Sequence, residues 1–250
     1  MLRRHWLTVA LLLGLIGIWQ AVASLPGVDL TLASPAQTAK AFGDDHALLL
    51  HNTWVTLEEV LLGLGIAVAA GVATAVGMHV VRPLREAAYP LLIASQALPV
   101  VVIAPLLIIA FGFGIGPKLA IVALVCFFPI TVNLMDGLRS VDPDLLKLMR
   151  SLRASRLATL WKVELPSALP YLFSGLRVAA TVSVIGAVFG EWAEAEDGLG
   201  HMVQLGINQL LTPRVWAGVI ILMLISVALF VLVTLAERLA IPWNRRERRA

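Results

Sequence analysis

Five histidines (His5, His46, His51, His79 and His201) and one cysteine (Cys126) are the soft-ligand and general-base candidates in this 250-residue chain. Their spacing supports little. No His-Glu-x-x-His occurs and no two histidines stand four apart, so there is no metal-catalysis signature. His46 and His51 fall near a loop and read as solvated. A single cysteine forms neither an internal disulfide nor a cysteine metal cluster. No Gly-x-x-x-x-Gly-Lys-Ser/Thr is present, so the chain has no P-loop of its own to cradle ATP. No catalytic residue, cofactor or metal ligand is expected. What remains is a small set of polar groups inside apolar runs: Gln96, Asn133, Ser183 and Arg177. In hydrocarbon such groups are expensive, and a charge costs at least about 2.5 to 3.5 kcal/mol on insertion scales.

Those runs dominate the composition. Hydrophobic residues make up 59% of the chain and charged residues 14%, with a mean hydropathy of +0.89. One soluble core cannot hide that much apolar surface, so the class is an all-α polytopic membrane protein. A crossing needs about 20 mostly apolar residues. Six stretches qualify: residues 6–24, 60–81, 89–111, 119–135, 170–190 and 215–236. The third is read as one helix kinked at Pro99 and ended by a glycine-rich turn at 112–117, and the short segment before it, with Arg82 and Arg85, as a basic loop. Residues 25–53 read as an external loop, helical from Pro35 with Ser34 as cap. The 1–24 segment also fits a cleavable leader with an Ala21-Val22-Ala23 site; the retained span is preferred because the apolar run is long for a leader.

Fifteen of the 19 basic residues fall on one side if both termini are cytoplasmic, as the excess of Lys and Arg in cytoplasmic loops requires, leaving Lys40, Lys118 and Arg214 in outside loops and Arg177 within the fifth span. The pI near 9.4 is then a consequence of topology, and a nucleic-acid partner is disfavoured. Glu191, Glu194, Glu196 and Asp197 fall outside, with Trp192 as a belt residue. Solvation and docking of an external protein are both open readings of that acidic cluster. Apart from Arg177, the spans carry almost no ionisable residue, which argues against an ion-coupled secondary transporter. Arg177 either snorkels or pairs with Asp136, a structural or gating role.

Between the fourth and fifth spans, residues 136–170 form a basic amphipathic insert. Asp142 is a plausible N-cap with Pro143 at the first helical position, and Leu145, Leu146, Leu148, Met149 and Leu152 share one face. A second short helix carries Leu157, Leu160, Trp161 and Glu164 and is read as ending at Pro166, with Pro170 starting the next span. The two join near Arg153-Ala154-Ser155. On pattern alone, a handle for an external protein and a pair of helices lying on an anionic leaflet are both open.

Residues 142–190 resemble the EAA loop and following helix of permease subunits in bacterial binding-protein-dependent ABC importers. The family pattern places Glu-Ala-Ala at Lys147-Leu148-Met149, Gly at Arg153 and an aliphatic residue at Val163 before Leu165-Pro166. The chain keeps the last two features and departs at the first two; Arg at a glycine position resists a positive φ. Further segments, including 95–99, 111–114, 126–129, 136–142 and 183–188, resemble the branch importing sulfonates, taurine, nitrate, riboflavin or thiamine-precursor pyrimidines, the last group most closely at Gly190-Glu191-Trp192, Gly198-Leu199-Gly200 and Pro242-Trp243.

The resemblance implies the type I importer permease architecture in the inner membrane, and a division into residues 1–50 (first helix and external loop), 51–240 (permease domain with the coupling loop 136–170) and 241–250 (basic tail). It implies an ATP-binding subunit in contact with Lys147, Met149, Arg150, Leu152, Arg153, Ala154, Ser155, Leu157, Leu165 and Pro166. It further implies a periplasmic or lipid-tethered solute-binding protein and a second permease copy, with Gln96, Asn133 and Ser183 along the path. A thiamine-precursor pyrimidine is the first expectation for cargo. An ATP-independent transporter and a non-transporting scaffold are the competing classes.

Overall fold

The computed structural model describes residues 2–25, 27, 31–96 and 99–243. Its helices are α1 (Leu2–Ala23), α2 (Pro35–Asp44), α3 (His46–Val80), α4 (Arg82–Ser95), α5 (Val100–Phe111), α6 (Ile115–Arg139), α7 (Pro143–Ser151), α8 (Arg156–Thr159), α9 (Leu165–Glu194), α10 (Leu199–Asn208) and α11 (Thr212–Ala240). No strand occurs among the described residues. Four helical stretches are long and apolar enough to cross a membrane: 46–80, 115–139, 156–193 and 212–240. Two shorter apolar stretches, 9–23 and 102–111, lie in α1 and α5.

The core is the packing of α3, α6 and α9, closed on one side by α11. Small residues make that packing tight. A Cβ on Gly175 would stand 2.5 Å from the carbonyl oxygen of Pro129 and 2.9 Å from Cβ of Asn133, so α9 crosses α6 at a distance only glycine allows. Val60, Ala67, Val122, Cys126, Ile130, Ala179, Ala180 and Ala187 fill the space between these helices. The outward faces carry Leu11, Ile109, Leu124 and Leu232 in the open, as lipid-facing positions should. α1 is tied in by Trp19, whose indole donates to the carbonyl of Ala33 at 2.9 Å and stacks at 5.3 Å on Trp216.

Local sequence rules succeed at several ends. Ser34 and Gln37 form a reciprocal capping box on α2, and Asp142 accepts from the amide of Asp144 at 2.8 Å with Pro143 in the first turn of α7. Other boundaries differ from the sequence expectation. α3 starts at His46 rather than Val60, because the polar residues Asn52, Thr56 and Glu59 find partners inside the bundle. The basic segment after α3 is helical, with Arg82 bonded to Glu86 one turn on. The third span is two helices, α4 ending at Ser95 and α5 starting at Val100 with Pro99, which lacks the N–H that would continue a ladder, as its N-cap. Pro166 does not stop the second loop helix. A single wide π-helical turn at Leu160–Glu164, with the amide of Leu165 reaching the carbonyl of Leu160, carries the chain into α9. The helix is thus continuous from Arg156 to Ala193.

Candidate functional site

Two clusters of polar residues mark the ends of the three core helices. At one end lies the loop of α7 and α8. α7 closes with Leu152 bonded to Leu148, the amide of Arg153 to the carbonyl of Arg150 at 2.9 Å, and the amide of Ala154 to the carbonyl of Met149 at 3.0 Å. That pair of bonds is the Schellman helix ending, in which glycine normally takes the left-handed position. Arg153 occupies it at φ 52. The tight turn at the family's glycine position is therefore present, with arginine in it. Ser155 then caps α8 by accepting from the amide of Ala158 at 3.2 Å.

This geometry presents the expected contact residues. Lys147, Arg150, Leu152, Arg153, Ser155 and Leu157 are exposed, and Met149, Ala154, Leu165 and Pro166 are half-buried. Leu148 and Trp161 add exposed apolar surface beside them. Lys147 is held by Asp144 at 2.7 Å. The loop is braced to the bundle by His79, at the end of α3, whose Nε2 lies 3.0 Å from Oε2 of Glu164 in the wide turn.

The second cluster was not legible in the sequence. It lies about 30 Å along α3, since Glu59 precedes His79 by 20 residues at 1.5 Å each. Glu191 is fully buried and Glu59 is 2% exposed. Lys118, in the first turn of α6, is 12% exposed and bonds Oε1 of Glu59 at 2.7 Å. Glu191 accepts the hydroxyl of Thr56 at 2.5 Å and the amide of Gly200. The amide of Leu199 donates to the Thr56 hydroxyl at 2.8 Å, and that of Gly198 to Oδ1 of Asn52 at 2.7 Å. Three successive amides at the start of α10 are thus satisfied by side chains of α3 and α9, which is what an N-terminus with no side-chain cap of its own requires. Gly198, at φ 121, and Gly200 leave the room that the Glu191 carboxylate fills.

Two expectations are corrected here. Glu191 is not part of an exposed acidic face; its burial follows from the amides and hydroxyl that surround it. Lys118 is not a loop residue but the counter-charge of Glu59. The core helices therefore carry ionisable groups besides Arg177, and these are engaged by internal partners. The sequence signals that point to the cluster are Gly198-Leu199-Gly200 seven residues after Glu191, and polar Asn52, Thr56 and Glu59 spaced along one helix.

Arg177 pairs with Glu237 of α11; Asp136 is exposed in the last turn of α6 and takes no part. Arg177 and Glu237 are 21% and 13% exposed, so the pair is a partly buried tie between α9 and α11. The three path residues are not brought together. Gln96 is exposed at the α4–α5 break. Asn133 is half-buried and donates to Pro129 within its own helix at 2.8 Å. Ser183 is fully buried, its hydroxyl bonded to Ala180 at 2.9 Å, which is a packing arrangement. At the opposite end from the loop, Arg214 grips Asp45 with two bonds of 2.8 and 2.7 Å. His46 and His51 are exposed, and His51 lies 3.4 Å from Asp197.

Comparison with known proteins places this arrangement. The model of the binding-protein-dependent transport system inner membrane component matches residues 63–241. The chain is 34% identical over 234 residues to the formylaminopyrimidine transport permease protein of Halalkalibacterium halodurans, covering 93% of this chain and 94% of that one. It is 36% identical over 241 residues to the riboflavin transport system permease protein of Chloroflexus aurantiacus, covering 95% and 90%. The solved MetNI methionine ABC transporter, in an inward-facing conformation, has a chain of the same fold, with a TM-score of 0.61 at 20% identity over 76% of this chain and 96% of that one. With helices, loop and matched residues in agreement, the chain belongs to the multi-pass inner membrane components of binding-protein-dependent transport systems, as a permease subunit of an ABC importer.

Proposed function

We propose that this permease carries a thiamine-precursor pyrimidine, delivered by a solute-binding protein, through a pore formed with a second permease copy. ATP is hydrolysed on a separate subunit seated on α7 and α8, with the loop and both termini on the cytoplasmic side. The observation that carries the cargo is the 34% identity to the formylaminopyrimidine permease across nearly the full length of both chains. The observation that supports the ATP-driven mechanism is the unbroken helix from Arg156 to Ala193.

At 1.5 Å per residue, that helix is a lever of about 57 Å. Its base carries the exposed loop face and the wide turn at Leu160–Glu164. Its far end carries Glu191, which holds the start of α10. Nucleotide binding draws the two ATP-binding subunits together and moves the loops with them. The lever transfers that displacement through the close α6–α9 contact at Gly175 to the opposite end, where α10 and α3 are pinned together. The cavity switches its opening from one side to the other, and hydrolysis resets it. Among the described residues, Glu59, Lys118, Arg177 and Glu191 in the spans each have an internal partner, which argues against ion coupling.

Riboflavin is the second reading of the cargo, favoured by the 36% identity to the riboflavin permease over 95% of this chain. A thermal shift screen of the cognate binding protein separates the two. A shift with formylaminopyrimidine and none with riboflavin or taurine is expected; a shift with riboflavin alone reverses the assignment.

A further inference from the structure

A cavity of about 360 Å3 opens between the end of α3 and the loop helices, lined among others by His79, Arg150, Ala154, Arg156, Leu157 and Glu164. Arg150 and Arg156 are exposed, and neither has a carboxylate partner among the described residues. The acid in the lining, Glu164, is already engaged by Nε2 of His79 at 3.0 Å. The other ring nitrogen of His79, Nδ1, is buried with no partner. The cavity therefore presents two guanidinium forks, and the carboxylate in its lining, Glu164, is already bonded to His79. The apolar side chains Leu146, Leu157 and Leu160 share the lining with them.

We infer that this cavity is a socket for an acidic side chain, Asp or Glu, projected by the ATP-binding subunit, so that the grip between the two proteins runs in both directions. The inference rests on the functional reading above. A carboxylate accepts two parallel N–H bonds from one guanidinium, and a pair of arginines in a recess is suited to it. The recess favours a protein acid over a lipid headgroup, because a flat leaflet reaches the rim and not the floor. It favours a protein over a soluble anion because the apolar part of the lining, Leu146, Leu157 and Leu160, needs covering at the same time. His79 and Glu164 join the floor of the socket to α3 and to the base of the lever, so an occupied socket links the partner to both helices.

The test uses the full chain coexpressed with its cognate ATP-binding subunit in detergent. Two variants attack the socket by different routes: Arg150→Glu/Arg156→Glu reverses its charge, and Ala154→Phe fills it without altering charge. Each should weaken subunit binding at least tenfold while the thermal unfolding of the isolated permease stays unchanged. An acid-to-arginine substitution on the ATP-binding subunit should restore binding to the charge-reversed variant. Wild-type affinity in both variants overturns the socket and leaves the permease reading intact. Unaltered subunit binding with lost affinity for phosphatidylglycerol vesicles makes the cavity a lipid site and also overturns it. Failure of the wild-type chain to bind any ATP-binding subunit overturns both.

Discussion

The hydroxyl of Thr56 donates to Oε1 of Glu191 at 2.5 Å and at the same time accepts the amide of Leu199 at 2.8 Å. One oxygen on α3 thus joins the end of α9 to the start of α10. Removing it leaves a buried carboxylate oxygen and a buried amide without partners, and hydrogen bonds to charged groups are worth about 1.5 to 3 kcal/mol. Thr56→Val, nearly equal in shape, should destabilise the protein by about 2 kcal/mol, read as a lower midpoint of thermal unfolding in detergent. An unchanged midpoint would show that the α10 cap is not held this way.

Lys118 and Glu59 form a pair buried in the bundle, with Glu191 close by. Breaking such a pair costs about 3 to 5 kcal/mol, whereas replacing both partners with apolar residues is often neutral. Lys118→Met alone should therefore be severely destabilising, and Lys118→Met with Glu59→Leu should recover most of the loss. Equal stability of the single and double variants would contradict the pairing.

Arg153 sits at φ 52 in a turn that glycine enters without strain. A left-handed non-glycine residue costs roughly 1 to 2 kcal/mol. Arg153→Gly should slow hydrogen exchange at the amide of Ala154, whose bond to Met149 closes the turn. Faster exchange would mean that the arginine side chain, and not the backbone shape, holds the loop end.

Charge reversal across Lys147, Arg150 and Arg153 alters the exposed face of α7 without touching the buried helices. In vesicles containing the complete transporter, ATP hydrolysis should continue while uptake falls at least tenfold. Uptake that stays coupled to hydrolysis would remove this face from the transmission path.

How much of this was legible in advance depends on whether a residue's role is settled by its neighbours in sequence. Ser34, Asp142 and Pro143 act within one turn, and their caps are where local rules put them. The span periodicity and the loop between the fourth and fifth crossings are also local patterns. Glu59 and Glu191 are different. Read along the chain, they are charges that end an apolar run, so the second crossing is expected to begin after Glu59 and Glu191 to face water. Their burial is fixed by Lys118, Thr56 and the amides of α10, none of which is near in sequence. Pro166 reads as a helix stop because the loss of its N–H is local, while the wide turn that absorbs the loss forms only as the chain continues into α9. For Arg177, the sequence reading offered snorkelling or Asp136, and only the packing of α9 on α11 brings in Glu237 instead.

The most direct test of the account is uptake of radiolabelled formylaminopyrimidine into vesicles containing this permease, its ATP-binding subunit and the binding protein. Uptake should require all three proteins and hydrolysable ATP. Accumulation by the purified permease alone, with no nucleotide-hydrolysing subunit present, would contradict it.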